Sequence, residues 1–450
     1  MTKMRHDLLA WPGTSVYRAA TTPHNSTAAQ QPAVVAHPNN AEEVAEAVRW
    51  AADRNLRVAV QASGHGAGAP IGPNQVLVDT SGLDDVFIDA EAHIAHVGAG
   101  TTWSAVNSGA QQHGLFGLAG SSPTVAVAGY TFGGGVGWLT RPYGMASSTL
   151  LAVEYIDGNG QPRRAAGDAP DPVDRAALWA FRGGGGVGIA TRLTFELVAP
   201  QALWAGYQLW DITALKPVVD AWARAMDELG DALSTSISVL HTPPGSPFPP
   251  PLRGVPIVHL AFASPAGPDA AAPLLHALRG APPPALDSSW APADAARLAQ
   301  IHLDPPDPLP ALGIGRWLGP TTPTLAGDVL DTAAAPDSPV AMIEVRNVGN
   351  SAPARDGAIS TVPGPFLLHA VGLAADPSSR ATTEQGLAKA HAAAQLADMG
   401  LAAAPFAEGR AAVADGIQPA ALRRLARVRA TVDPHRRVTP SRLLAADGGV

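Results

Sequence analysis

The sequence predicts an α+β fold in two compositionally distinct parts, and three observations carry that reading. Apolar residues make up 46% and charged residues 15% of the 450 positions, the balance of a globular chain large enough for two or three cores. Three Gly-rich loops, each bordered by strand-like apolar runs, fall within the first 200 residues. Near Pro200 these loops stop and the order becomes strand, helix, strand, strand, helix, which suits an antiparallel sheet covered by helices.

Residues 1–30 read as irregular. Pro32 to Ala36 is a short apolar strand. The helix after Asn39-Asn40 places Val44, Ala47, Val48 and Ala51 on one face, with Glu42 and Glu43 in the first turn where the helix dipole favours them. Leu56 to Val60 and Val76 to Asp79 are further strands. From Val86 a hairpin with its break at Asp89 to Glu91 precedes a helix over 102–112. LLAVEYI runs into Asp157-Gly158-Asn159-Gly160, a hairpin turn. A helix ending in DRAALWAF precedes the third glycine loop and a strand. Beyond Pro200, strands are expected at LWAGYQLWDI, STSISVLHT and PIVHLAFAS, and helices at 215–230 and 268–280. Residues 281–340 are Pro-rich and give no clear periodicity. Strands near 340–347 and 365–373, a helix over 380–398 and a basic helix stopping at Asp433-Pro434 complete the chain.

Composition excludes several function classes. A net charge of −8, with no basic stripe interleaved with aromatics, argues against nucleic acid or an anionic membrane as partner. The absence of cysteine removes disulfides, thiolate zinc sites, iron–sulfur clusters and thiol catalysis, and no metal site is expected. The segment MTKMRHDLLAWPG is too short in apolar residues for a signal peptide, and no apolar run of about eighteen occurs. The expectation is a cytoplasmic protein of unknown oligomeric state.

The chemistry lies in the glycine loops. Val58-Ala59-Val60 empties into a loop with Gly64, Gly66 and Gly68 around His65, a form that lets backbone N–H groups reach an anion such as a pyrophosphate. Standing alone, this loop reads more readily as a surface turn with a polar residue in it. RGGGGVGI satisfies G-x-G-x-x-G through Gly183, Gly185 and Gly188, but a helix precedes it and a strand follows, the reverse of a Rossmann fingerprint. No Walker-type G-K-[ST] occurs. One large ligand with phosphates and a planar ring, lined by all three loops, explains them together. A Gly-rich β-domain with tight turns is the alternative that the pattern leaves open.

At this point the chain resembles the FAD-linked oxidases of the vanillyl alcohol oxidase and p-cresol methylhydroxylase superfamily, nearest to the berberine-bridge-enzyme-like branch. The family's R-S-G-G-H loop appears as Gln61-Ala62-Ser63-Gly64-His65. Its C-P-T-V-G loop appears as Ser122-Pro123-Thr124-Val125, running through Ala126-Val127-Ala128-Gly129 to Gly133-Gly134-Gly135-Val136-Gly137. Its third loop appears as Leu178-Trp179-Ala180-Phe181-Arg182-Gly183 through Gly186, and its tail as Leu425 to Pro434. The resemblance implies a two-part FAD-binding domain of the p-cresol methylhydroxylase type, about 1–200 completed by 417–450, with an inserted α+β substrate domain over 201–416. It implies FAD held by Ser63, Gly64, His65, Gly66, Ala67, Gly68, Ser122, Pro123, Thr124, Val127, Gly129, Gly133, Gly134, Gly135, Gly137, Gly188 and Ile189. His65 would carry the flavin 8α-methyl group. Relatives with a second tether use a cysteine where this chain has Ser122, which cannot supply a thiolate, so the expected link is single.

The implied reaction is hydride removal from a small organic substrate, at a CH–OH group, with O₂ as electron acceptor. The C-terminal Tyr-x-Asn element of many relatives is missing, since the last tyrosine is Tyr207. His369, on an expected strand, is the first candidate for the base, since histidine is the side chain type suited to proton transfer near neutral pH; a satisfied histidine on a sheet is the alternative. Alternation puts Glu344 and Arg346 on one strand face, as catalytic groups or as an edge-strand pair. Tyr130, in the second loop, is the third catalytic candidate; Tyr207, His241 and His259 are weaker ones. A non-redox cyclase or lyase on the same scaffold, and a binding protein without turnover, are the two other functional readings.

Overall fold

The computed structural model describes residues 8–245, 248–349, 352–413 and 415–445. Among these, the strands form three sheets. In the smallest, Val34–Ala36, Gln75–Asp79 and Arg57–Gln61 pair in parallel, and Leu9–Ala10 joins antiparallel at the edge. The helix Ala41–Ala52 forms the crossover; the Asn40 side chain caps it by accepting from Glu43 N at 3.0 Å. A five-stranded antiparallel sheet runs Val86–Asp89, Ile94–Gly98, Ile189–Glu196, Leu150–Ile156, Pro162–Ala166. These two sheets share one core. Leu425, Val428 and Val432 of the helix Pro419–Val432, together with Val438 and Leu443, complete it. Val438 pairs in parallel with Val58, placing the end of the described chain beside the first glycine loop.

The largest sheet is antiparallel throughout. Its order is Leu286–Pro292, Trp204–Asp211, Pro256–Ser264, Ser234–His241, Val340–Asn347, Phe366–Leu373, Ala311–Leu318, Asp398–Ala402. Strand alternation separates its faces. Ile237, Val239, Val258, Leu260, Ile343, Val345, Leu368 and Ala370 point to one side, where helices Leu215–Ala225, Thr322–Asp331 and Pro377–Ala394 bury them. The other side carries Ser238, His259, Glu344, Arg346 and His369, all buried although polar. Polar groups on a covered sheet face cost stability unless paired, so that face is where function is sought.

Several elements differ from expectation. The segment 1–30 contains the strand Leu9–Ala10 and the Thr14-capped helix Ser15–Ala20, both too short to show a period. Residues 281–340 hold the strand Leu286–Pro292, the helix Ala295–Gln300, the strand Ala311–Leu318 and the helix Thr322–Asp331. The helix expected over 380–398 spans Pro377–Ala394, and a strand, Asp398–Ala402, begins where it was to end. Residues 1–7 and 446–450, the outer ends of the segments 1–200 and 417–450, lie outside the described residues. No described helix is long and apolar enough to cross a membrane.

Candidate active site

A cavity of about 2300 Å³ lies between the glycine loops and the polar face of the large sheet. The first loop is fixed from both sides. His24 N and Asn25 N donate to Ser63 O and Gly64 O at 3.1 Å, and Ala126 N of the second loop donates to Ser63 Oγ at 3.2 Å. Gly64 has φ +73°, and a Cβ there would stand 2.5 Å from Pro23 Cβ. A Cβ on Gly68 would stand 2.3 Å from the Arg410 carbonyl oxygen. The glycines therefore let two other chain segments close on the loop.

His65 is half-buried at the centre of this wall. Its ring stacks on His24 at 3.6 Å between centroids and 20° between planes. Its Nε2 is 2.9 Å from Thr124 Oγ1, which is 3.2 Å from Ser122 Oγ. Burial, then the neighbouring His24, lowers its pKa to about 4, so the imidazole is neutral at neutral pH.

Ser63, Gly64, Gly66, Ala67 and Gly68 of the first loop line the cavity, as do Ser122, Pro123, Thr124, Gly129, Tyr130 and Gly133 of the second and Gly184 to Gly186 and Gly188 of the third. Val127 and Ile189 do not; both are fully buried in the core behind. Gly134, Gly135 and Gly137 also stand behind the wall. A Cβ on them would meet Met145 Cε at 2.6 Å, the Tyr130 ring at 2.6 Å and the Ala119 carbonyl at 1.9 Å respectively, so packing accounts for these three glycines. The Tyr130 ring is edge-on to Trp103, and its hydroxyl is buried with no hydrogen-bond partner among the described residues. Burial pushes its pKa up.

The sheet wall is a charged cluster. Glu344 is fully buried and does not reach the cavity. It accepts from Arg346 Nε at 3.1 Å and Nη2 at 3.0 Å, and its Oε2 lies 3.3 Å from His302 Nε2 and 3.9 Å from His369 Nδ1. His302 Nδ1 is 2.7 Å from Asp304 Oδ1. Burial opposes charge on His302, but Asp304 and Glu344 outweigh it and raise its pKa to about 10, so this imidazole is a standing cation. Burial likewise opposes charge on Asp304 and Glu344, yet the His302 and Arg346 cations hold both carboxyls below the usual range. His369 lines the cavity, with Nε2 3.1 Å from Glu408 Oε1 and its ring edge-on to Phe406 at 5.0 Å. Ser238 Oγ and the Ile301 carbonyl satisfy His259 at 3.1 and 2.9 Å, and the Ala333 carbonyl satisfies His241 at 2.8 Å. Tyr207 lines the cavity beside His259.

Sequence reasoning missed His24, His302, Asp304 and Glu408. The signal available for the middle pair was His302-Leu303-Asp304, two ionisable residues flanking an apolar one inside a Pro-rich stretch. No signal marked Glu408.

A family described as "FAD binding domain" matches residues 32–166, which hold the first two glycine loops. The chain carries an FAD-binding domain of the p-cresol methylhydroxylase type. The chain is 27% identical over 215 residues to (R)-6-hydroxynicotine oxidase of Paenarthrobacter nicotinovorans, covering 47% of this chain and 46% of that protein. It is 29% identical over 201 residues to berberine bridge enzyme-like D-2 of Nicotiana tabacum, covering 41% and 31%. These matches span less than half the length of either relative. The crystal structure of 6-hydroxy-D-nicotine oxidase from Arthrobacter nicotinovorans superposes over 95% of both chains with a TM-score of 0.78 at 22% identity, a likeness of fold. Homologues and structural neighbours thus lie in the vanillyl alcohol oxidase and p-cresol methylhydroxylase superfamily, berberine-bridge-like enzymes among them.

The cavity's own residues suit FAD. At Gly129 no atom stands within 4 Å of where a side chain would begin, and at Gly66 only Arg442 Nη2 does, at 4.0 Å, so the backbone of both loops is open to a ligand. The orphaned Tyr130 hydroxyl and the half-buried, neutral His65 stand on the same wall.

Proposed function

We propose that the chain is an FAD-dependent oxidase with its flavin tethered through His65 alone, acting at a CH–OH carbon of a small organic substrate with O₂ as acceptor. Residues 1–200 and 417–450 hold the cofactor and 201–416 the substrate. The observation that carries this reading is that His65 and His369 stand on different walls of one cavity, the first among glycine loops and the second on a polar sheet face. Ser63, Gly64, Gly66, Gly129 and Gly186 offer backbone to the bound group, and Thr124, by engaging His65 Nε2, leaves Nδ1 as the tethering nitrogen.

Bound FAD supplies a two-electron acceptor. His369 accepts the substrate hydroxyl proton, and Glu408 Oε1, 3.1 Å from its Nε2, steadies the imidazolium that results. Glu344 acts as a positioning residue, since it is sealed behind His369 and ion-paired to Arg346. Tyr130 packs the second loop into place through Trp103.

Acid-denatured protein is expected to stay yellow, and His65→Ala to release the colour into the supernatant. A colourless wild-type precipitate would remove the covalent link. Under argon, a substrate should bleach the flavin, and His369→Gln should slow bleaching by roughly 10²–10⁴-fold with a smaller change in substrate affinity. Substrates turned over without any bleaching would favour the non-redox cyclase or lyase.

A further inference from the structure

The cavity face of the large sheet is banded. His259, Ser238, Glu344 and His369 stand in register across four neighbouring strands and make a polar row. Two residues along each strand, on the same face, the next row reads Ile257, Leu240, Met342 and Val371. Leu240, Met342 and Val371 line the cavity, and Leu303 and Phe248 join them from the loops. His241 and Thr242, the two polar residues that follow Leu240, are occupied within the protein. His241 Nε2 is 2.8 Å from the Ala333 carbonyl, and Thr242 Oγ1 donates to the Leu252 carbonyl at 2.6 Å.

We infer that the substrate is an alcohol with a largely hydrophobic body, seated on Leu240, Met342 and Val371 with its reacting carbon at the His369 row, and is not an oligosaccharide. This rests on the proposed oxidation at the His369 row. A sugar presents a hydroxyl on nearly every carbon, and each would lose its water here against methyl and methylene groups that offer no partner. A hydrocarbon body loses nothing in the same place and gains the apolar area it buries. The two bands thus divide the work, one holding the polar reacting end and the other the body.

The test uses the purified flavin-loaded protein under argon, titrated calorimetrically with 2-naphthalenemethanol and with cellobiose while flavin absorbance is recorded. The expected result is saturable binding of 2-naphthalenemethanol and none of cellobiose. Met342→Lys and Val371→Lys should each weaken naphthalenemethanol binding roughly tenfold or more, with acid-stable flavin content and far-ultraviolet dichroism unchanged, whereas Met342→Leu keeps it. Leu240→Gln replaces the lysine variants if they do not fold, with the same direction expected. Cellobiose binding the tighter, or folded variants that all bind naphthalenemethanol as the wild type does, would overturn the inference. Binding without bleaching would support the hydrophobic seat and count against the oxidation reading alone.

Discussion

Leu303 has φ +66°, a left-handed backbone that leucine rarely adopts and that costs about 1 kcal/mol or more. It stands between His302 and Asp304, so the strained residue falls where two paired ionisable groups are held on the cavity wall. The His302 pair has a pH signature with a definite sign. Its folded pKa, about 10, lies above the unfolded value, so its contribution is complete below about pH 6.5 and is lost as pH rises through 10. The difference in thermal midpoint between wild type and His302→Gln should therefore be largest at neutral or lower pH and should shrink towards pH 10; a constant difference would refute the assignment. Residue scale also governs the proposed tether. His24 holds the face of the His65 ring and Thr124 its edge. His24→Ala should lower the acid-stable flavin fraction and His24→Phe, which keeps the stack, should preserve it.

At the scale of elements, the loops are as dependent on their neighbours as on their own glycines. Gly68→Ala would drive a methyl into the Arg410 carbonyl, so the loop or the Arg410 backbone must shift. Reduced thermal stability and reduced flavin incorporation are expected together. The helix Pro377–Ala394 begins with a capping box in which Asp376 accepts from Ser378 N and Ser379 N at 2.8 and 2.9 Å. Asp376→Ala should cost about 1 kcal/mol, read by denaturant unfolding. Elements that carry their own signals were legible in the chain. The helix after Asn40 shows its cap and apolar period, and Val340–Asn347 shows the alternation that put Glu344 and Arg346 on one face. Residues 281–340 were not legible because their elements are specified by partners. The helix Ala295–Gln300 is six residues long, and the strand Ala311–Leu318 contains Gly313 and Gly315 where Glu408 and Ala403 press against it. The site followed the same division: His65 and His369 sit in recognisable runs, whereas Glu408 reaches His369 only through the tertiary fold.

Over the whole molecule, two cores meet at the cavity, and Arg141 is one of the polar side chains that bridge them. From beside the second glycine loop it reaches Asn347 and the Leu229 carbonyl, the latter at 3.1 Å. A ligand filling the cavity ties the same two parts, so occupancy should appear in global stability. His65→Ala is expected to show a thermal midpoint that climbs with added FAD, while the wild type, if its cofactor is fixed as proposed, stays level; equal responses would refute the tether. The parallel pairing of Val438 with Val58 has a consequence for biogenesis. Val58 N donates to Arg437 O and Thr439 N to Val58 O, both at 2.8 Å, and Gln75 bonds Thr439 across 364 positions. The strand that leads into the first loop thus receives its last neighbour only once residues 437–439 have left the ribosome. Loop closure over that span is slow, so the half-made cradle waits exposed during synthesis. Cofactor capture should then be a late, post-translational event, sensitive to free FAD in the minutes after release, and nascent chains stalled before residue 437 should emerge colourless.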